Sequence, residues 1–128
     1  TNAFLPHMYN QNSIVYTGTH DNDTMQGWLD HATKPEIDMI TDYLGGDIPK
    51  NKLTQELIRV ALFSPAVFAI FPLQDLYSLG SDTRMNTPST LGNNWAWRMG
   101  VEHLNPQKAA WLKKTSQMYA RNLVSKKN

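Results

Sequence analysis

The residues Ala66-Val67-Phe68-Ala69-Ile70-Phe71 form an unbroken apolar run fenced by Pro65 and Pro72. Six residues between two prolines are too few for a helix and carry no polar face. They read as a strand buried on both faces, the kind found in parallel sheets. Such a strand needs neighbours on its edges and layers on its sides. A second run, Ile14-Val15-Tyr16-Thr17, is stopped by Gly18 and reads as another buried strand. The wider apolar stretch over residues 60–73 is interrupted by Ser64, Pro65 and Pro72, so it does not read as a membrane span.

Helical signals fill the space between the two strands. Residues 25–32 fit a short helix. Thr33-Lys34-Pro35-Glu36 reads as a capping box with proline in the first turn, opening a second helix. Ile37, Ile40 and Leu44 share one face of it, and Gly45-Gly46 ends it. Residues 52–63 form a third helix with Leu53, Leu57, Val60 and Ala61 on its apolar face. After the second strand, Pro72-Leu73-Gln74-Asp75 closes the run, and residues 76–100 read as loop despite carrying Trp95 and Trp97. Asn105 caps a last helix with Pro106 at its first position. Ala109, Leu112, Tyr119 and Leu123 give that helix its stripe, and residues 125–128 read as a frayed tail.

Strand, helices and parallel strand make a βαβ unit. Two strands buried on both faces lack the neighbours that such burial requires within 128 residues. The chain therefore reads as part of a larger α/β protein. Its opening, Thr-Asn-Ala-Phe-Leu-Pro, has neither initiator Met nor the basic and apolar regions of a leader, which fits an excised piece and a cytoplasmic location. Twelve Lys and Arg against eleven Asp and Glu leave a net charge of +1, which gives no electrostatic case for nucleic acid or a membrane surface as partner. The absence of cysteine excludes disulfides, thiolate metal sites and a Cys nucleophile.

Two clusters could carry chemistry. His20-Asp21-Asn22-Asp23 follows the first strand, where barrel enzymes project their catalytic groups. On the residues alone three readings stand. The cluster is a turn that caps the next helix, a sugar site with a charge-stabilising carboxylate, or a divalent-ion site. The second cluster holds Gln74-Asp75, Arg84-Met85-Asn86-Thr87-Pro88 and Gly92-Asn93-Asn94-Trp95-Ala96-Trp97. Its amides and guanidinium are directional donors, and tryptophan offers a flat face to the C–H surface of a sugar. Trp97 reads better as a core plug than as a stacking face. His7, His31 and His103 stand alone and read as surface or core-edge residues, and Ser78, Ser81 and Ser89 lack a nucleophile-elbow context. Lys108, Lys113, Lys114, Arg121, Lys126 and Lys127 make the last helix basic, which reads as a solvated face.

These clusters also carry a resemblance. Val15-Tyr16-Thr17-Gly18-Thr19-His20-Asp21-Asn22-Asp23-Thr24 resembles the His-Asp-Asn segment of the 4-α-glucanotransferases, or amylomaltases. Pro72-Leu73-Gln74-Asp75-Leu76, Leu79-Gly80-Ser81, Arg84-Met85-Asn86-Thr87-Pro88 and Gly92-Asn93-Asn94-Trp95-Ala96-Trp97-Arg98 resemble the family's later segments in the same order. The resemblance implies a C-terminal fragment of a (β/α)8 barrel, with residues 1–128 supplying its last two strands and their helices and no complete domain. It implies a parent that moves α-1,4-glucan segments between maltooligosaccharides by a retaining double displacement, without metal or organic cofactor. It makes Asp21 the third catalytic carboxylate, and His20, Asn86 and Pro88 substrate contacts. The nucleophile and acid/base have no matching segment here, so the isolated chain is expected to be inactive. Its exposed edges are expected to make it self-associate. The rival expectations are a stand-alone α-glucan-binding module, a metal-dependent glycosyltransferase and a purely structural fragment.

Overall fold

A computed structural model describes residues 5–121. A 3-10 turn at Pro6–Met8 leads to strand β1 (Ile14–Tyr16), followed by helices α1 (Met25–His31), α2 (Lys34–Tyr43) and α3 (Leu53–Phe63). Strand β2 (Phe68–Ile70), the short helix α4 (Leu73–Leu76) and, after a long loop, helix α5 (Pro106–Met118) complete the order. No helix among the described residues is long and apolar enough to cross a membrane. The expected frayed tail at 125–128 and the stripe residue Leu123 lie outside the described residues.

β1 and β2 pair in parallel, with Ile14 opposite Phe68, Val15 opposite Ala69 and Tyr16 opposite Ile70. The helices α1 to α3 form the crossover that a parallel pair requires. Side chains alternate along a strand, so this register puts Val15 and Ala69 on one face and four large apolar residues on the other. Val15 packs with Ala61 of α3 and with Ala66, and Tyr9 and Ala69 join the cluster. The opposite face departs from the expectation of strands buried on both sides. Ile14, Tyr16, Phe68 and Ile70 are 46, 49, 60 and 45% exposed. The physical reason is that two strands, each paired on one edge only, have no second layer within these residues to cover that face.

α3 is the central helix of the described structure. It buries Leu53, Thr54, Ile58, Val60, Ala61 and Leu62, a wider face than the four residues expected from periodicity, and it touches both α4 and α5. Its Thr54 hydroxyl donates to Gln26 Oε1 of α1 at 3.1 Å. At its C-terminus, Ser64 Oγ donates to the Ala61 carbonyl at 2.8 Å. The Arg121 guanidinium donates to the carbonyls of Leu62, Ser64, Ala66 and Val67. One side chain thus satisfies the open carbonyls of both the helix end and the approach to β2. α5 begins as expected, with Asn105 Oδ1 accepting from the Lys108 amide at 3.0 Å. It is not wholly a solvated basic face. Lys108 lies over the Trp111 ring, and partial burial, aided by nearby Lys52, holds its amine below the usual lysine range.

The start of α2 ties sequence to pH. Glu36 Oε2 accepts from the Thr33 amide at 2.7 Å and from its hydroxyl at 2.9 Å, so Glu36 supplies the returning half of a capping box. Both donors favour the ionised form, and the Thr33 amide leads in lowering the Glu36 pKa below its ordinary 4.5. A carboxylate with a lowered folded value adds stability above the unfolded value and loses it as pH falls through the folded one. Glu36→Gln should therefore be less stable to urea than the unsubstituted protein at about pH 7, with the gap closing by about pH 3. A gap that stays constant across that range would show that the charge is not what Thr33 recognises.

Candidate functional site

The polar groups converge where the parallel strands end. Thr17 continues the ladder past β1, its amide donating to the Ile70 carbonyl at 3.3 Å. Its hydroxyl donates to Asp75 Oδ2 at 2.6 Å, while Asp75 Oδ1 accepts from the Met25 amide at 2.8 Å. Asp75 is 1% exposed, so this carboxylate is an internal tie between β1, the first turn of α1 and α4. Thr24 caps the same helix, its hydroxyl oxygen accepting from the Gly27 amide at 3.0 Å. Asp23 Oδ2 accepts from Ser81 Oγ at 2.8 Å. Gly27 is required beside that pair, because a Cβ there would collide with Ser81 Oγ and Asp23 Oδ1.

The first polar cluster divides between two roles. Asn22 Oδ1 accepts from the Thr19 amide at 2.8 Å and from its hydroxyl at 3.1 Å, and Asp23 Oδ1 accepts from the Thr24 amide at 2.7 Å. Those two residues close the turn that leads into Thr24, the cap of α1. His20 and Asp21 point outward instead, their side chains 57 and 49% exposed, with His20 Nε2 3.4 Å from Asp21 Oδ1. Asn86 Nδ2 donates to Asp21 Oδ1 at 2.7 Å, and the Asn86 amide donates to the His20 carbonyl at 3.2 Å. Arg84 binds both sides of that contact, through Nη2 to the Asp21 carbonyl and Nε to the Asn86 carbonyl, each at 2.8 Å.

Among the expected site residues, the fold unites His20, Asp21 and Asn86. Pro88 stands exposed two residues beyond Asn86 and takes no part in their hydrogen bonds. The indole of Trp95 lies beside His20 with ring centroids 5.1 Å apart, whereas Trp97 and Tyr77 pack around the His103 ring. His31 Nδ1 meets the Gly27 carbonyl at 2.7 Å, and His7 Nδ1 meets the Tyr43 hydroxyl at 2.9 Å. Neither contact involves Asp21 or Asn86. Among the described residues no three His, Asp or Glu side chains converge as a metal site would require.

A cleft of about 510 Å³ opens alongside, lined by His20 and Arg84 and also by Tyr16, Ile70 and Phe71. Asp21 and Asn86 are not among its walls. Chemically, one Asp21 oxygen is fixed by an amide donor, while Oδ2 takes no hydrogen bond among the described residues. The result is an aimed negative charge with a free lone-pair edge and an imidazole beside it. Sequence reasoning placed Asp75 among the polar groups of the second cluster and gave Thr17 a strand position only, so the pairing of the two was not foreseen. The signal available was a carboxylate four residues after the apolar run that ends at Phe71.

The family model described as 4-alpha-glucanotransferase matches residues 1–103. A 4-alpha-glucanotransferase of Synechocystis is 43% identical over 123 residues, covering 95% of this chain and 24% of that protein. The chloroplastic/amyloplastic 4-alpha-glucanotransferase of Solanum tuberosum is 47% identical over 98 residues, or 77% of this chain and 17% of that protein. The solved structure of an amylomaltase from Streptococcus agalactiae in complex with acarbose superposes with a TM-score of 0.88 at 34% identity, over 95% of this chain and 24% of that one. The chain thus spans about a quarter of the length of relatives it matches along most of its own.

Asp75 gives a direct test of the scaffold. Asp75→Ala leaves the Met25 amide and the Thr17 hydroxyl without their acceptor and should cost about 3 kcal/mol in urea denaturation. Asp75→Asn keeps one carbonyl oxygen for the amide and should cost about half as much. Equal losses in the two variants would mean that packing, rather than these hydrogen bonds, sets the effect.

Proposed function

Because the chain belongs to the 4-alpha-glucanotransferase family, we propose that it forms part of the catalytic barrel of an enzyme that transfers α-1,4-glucan segments between maltooligosaccharides. The observation that carries the reading is the exposed Asp21 carboxylate, held by Asn86 beside His20 at the C-terminal end of a parallel strand. The uncovered face of Ile14, Tyr16, Phe68 and Ile70 supports it from the side of packing. Those side chains are what the rest of a barrel would bury, and three of the cleft-wall residues, Tyr16, Ile70 and Phe71, are apolar for the same reason. An exposed apolar sheet face argues against a stand-alone glucan-binding module, which would have to cover it to remain monomeric.

In a retaining double displacement a carboxylate attacks the anomeric carbon while a carboxylic acid protonates the departing glycosidic oxygen. A sugar hydroxyl of the acceptor then attacks the glycosyl-enzyme, giving its proton to the former acid and releasing the nucleophile. Both of those groups belong to other parts of the parent enzyme. Asp21 contributes a third carboxylate that grips ring hydroxyls and offsets the positive charge developing in the oxocarbenium-like transition state. His20 and Asn86 orient the same sugar, and Pro88 borders its subsite. No step in this scheme needs a metal or an organic cofactor.

Within the barrel we assign β1 and β2 to the last two strands, on the order in which their polar ends resemble the family's later segments. Coding sequence for the remaining strands should then lie upstream of this chain, and finding it downstream would overturn the assignment.

In the full-length protein, Asp21→Asn should lower transfer from maltotriose by about 10³-fold or more while acarbose still binds. Near-normal turnover would remove Asp21 from the mechanism. The 128-residue chain alone should release no product and sediment as oligomers. An active, monomeric chain would overturn the reading of it as part of a barrel.

A further inference from the structure

The loop after Asn86 passes repeatedly through left-handed backbone, with φ of 62° at Ser89, 83° at Gly92, 54° at Asn93 and 61° at Trp95. Glycine and asparagine adopt that region readily. A bulky aromatic residue does so only where the surrounding structure enforces it, and such outliers gather where a site needs a side chain aimed. Trp95 is held in place from both sides. Its amide donates to the Met85 carbonyl at 2.6 Å, and Arg98 Nη1 donates to the carbonyls of Trp95 and Trp97 at 3.1 and 3.0 Å.

The strained turn does not bury the indole. Trp95 remains 51% exposed while its ring lies against His20, and His20 in turn reaches Asp21. Trp97, two residues on, is the contrasting case, partly buried with its ring against His103. A tryptophan selected for packing would resemble Trp97. One aimed at solvent beside a carboxylate and an imidazole has a flat apolar face to offer a ligand.

We propose that Trp95 is the stacking platform for a glucose ring of the bound glucan, next to the ring that Asp21 grips. The assignment rests on the glucanotransferase reading. One face of a pyranose is lined with C–H bonds and suits an aromatic face, while its hydroxyl rim suits the amide and imidazole alongside. The order Trp95, His20, Asp21 along the surface then spans two adjacent sugars, with the platform fixing the chain and the carboxylate acting on its neighbour. Trp95 therefore sets the affinity for oligosaccharide more than the chemical step.

The test is transfer from maltotriose by the full-length protein, with acarbose binding measured in parallel by calorimetry. Trp95→Ala should raise the maltotriose KM and the acarbose Kd by about tenfold, the order expected for losing one aromatic contact, with kcat within about threefold. Trp95→Phe, which keeps a flat face, should stay within about threefold of the unsubstituted KM. Unchanged KM and Kd in Trp95→Ala overturn the proposal, and so does a loss confined to kcat. If Trp95→Ala does not fold, the acarbose-induced tryptophan difference spectrum decides, since it should shrink in Trp95→Phe and its full retention overturns the assignment. Failure of the parent reading is seen separately, as no transfer by the unsubstituted protein, and acarbose binding then judges Trp95 alone.

Discussion

The loop that carries His20 and Asp21 is anchored at both of its ends by one carboxylate that faces inward. Asp75 accepts from the Thr17 hydroxyl on one oxygen and from the Met25 amide on the other, and so joins the end of β1, the start of α1 and the turn of α4. An ion as buried as this is tolerable only where its lone pairs are met by donors. Here the donors come from segments 50 and 58 residues away in sequence, so the carboxylate specifies how the strand end and the following helices sit. The residues between Thr17 and Met25, which include His20 and Asp21, are a loop anchored at both ends to the same side chain. Its inner turn is then closed by Asn22 on Thr19 and by Asp23 on Ser81.

Much of this architecture was legible in the sequence because its signals are local. Pro65 and Pro72 bracket β2, the Thr33 and Glu36 pairing opens α2, and Asn105 with Pro106 opens α5, each within a residue or two of its expected place. What local pattern could not supply was burial. Continuous apolarity in Ala66 to Phe71 states which faces a strand is made to bury, and the described residues hold only part of what would bury them. The short α4 was also missed, since a four-residue turn carries no periodicity to read. The breadth of the buried face of α3 went unseen for a different reason. Thr54 is fully buried because Gln26 answers its hydroxyl, a partner 28 residues away.

The site was legible as a set of residue types and not as an arrangement. His20, Asp21 and Asn86 were expected together, and the fold unites them through a hydrogen bond spanning 65 residues. The local sequence could not divide His20-Asp21-Asn22-Asp23 into outward-facing and turn-closing members, because all four suit a turn. That division follows from where donors arrive. Thr19 takes Asn22, Thr24 and Ser81 take Asp23, and among the described residues the Asp21 carboxylate is met by the Asn86 amide, with His20 Nε2 beside it.

Three aspartates of one chain therefore hold three different positions on a scale of engagement. Asp75 has a donor on each oxygen and is sealed from water, and Asp23 has a donor on each oxygen at the margin. Asp21 has one oxygen fixed and one open. A carboxylate that stabilises developing positive charge has to be held in place yet keep a free acceptor edge, and among these three only Asp21 meets both conditions. Arg84 strengthens the hold without consuming that edge, since it binds the backbone carbonyls of Asp21 and Asn86 and leaves the carboxylate untouched. A guanidinium paired directly with the carboxylate would have neutralised the charge the site presents. The choice of carbonyl over carboxylate as the partner of Arg84 is thus what separates a positioned anion from an ordinary salt bridge.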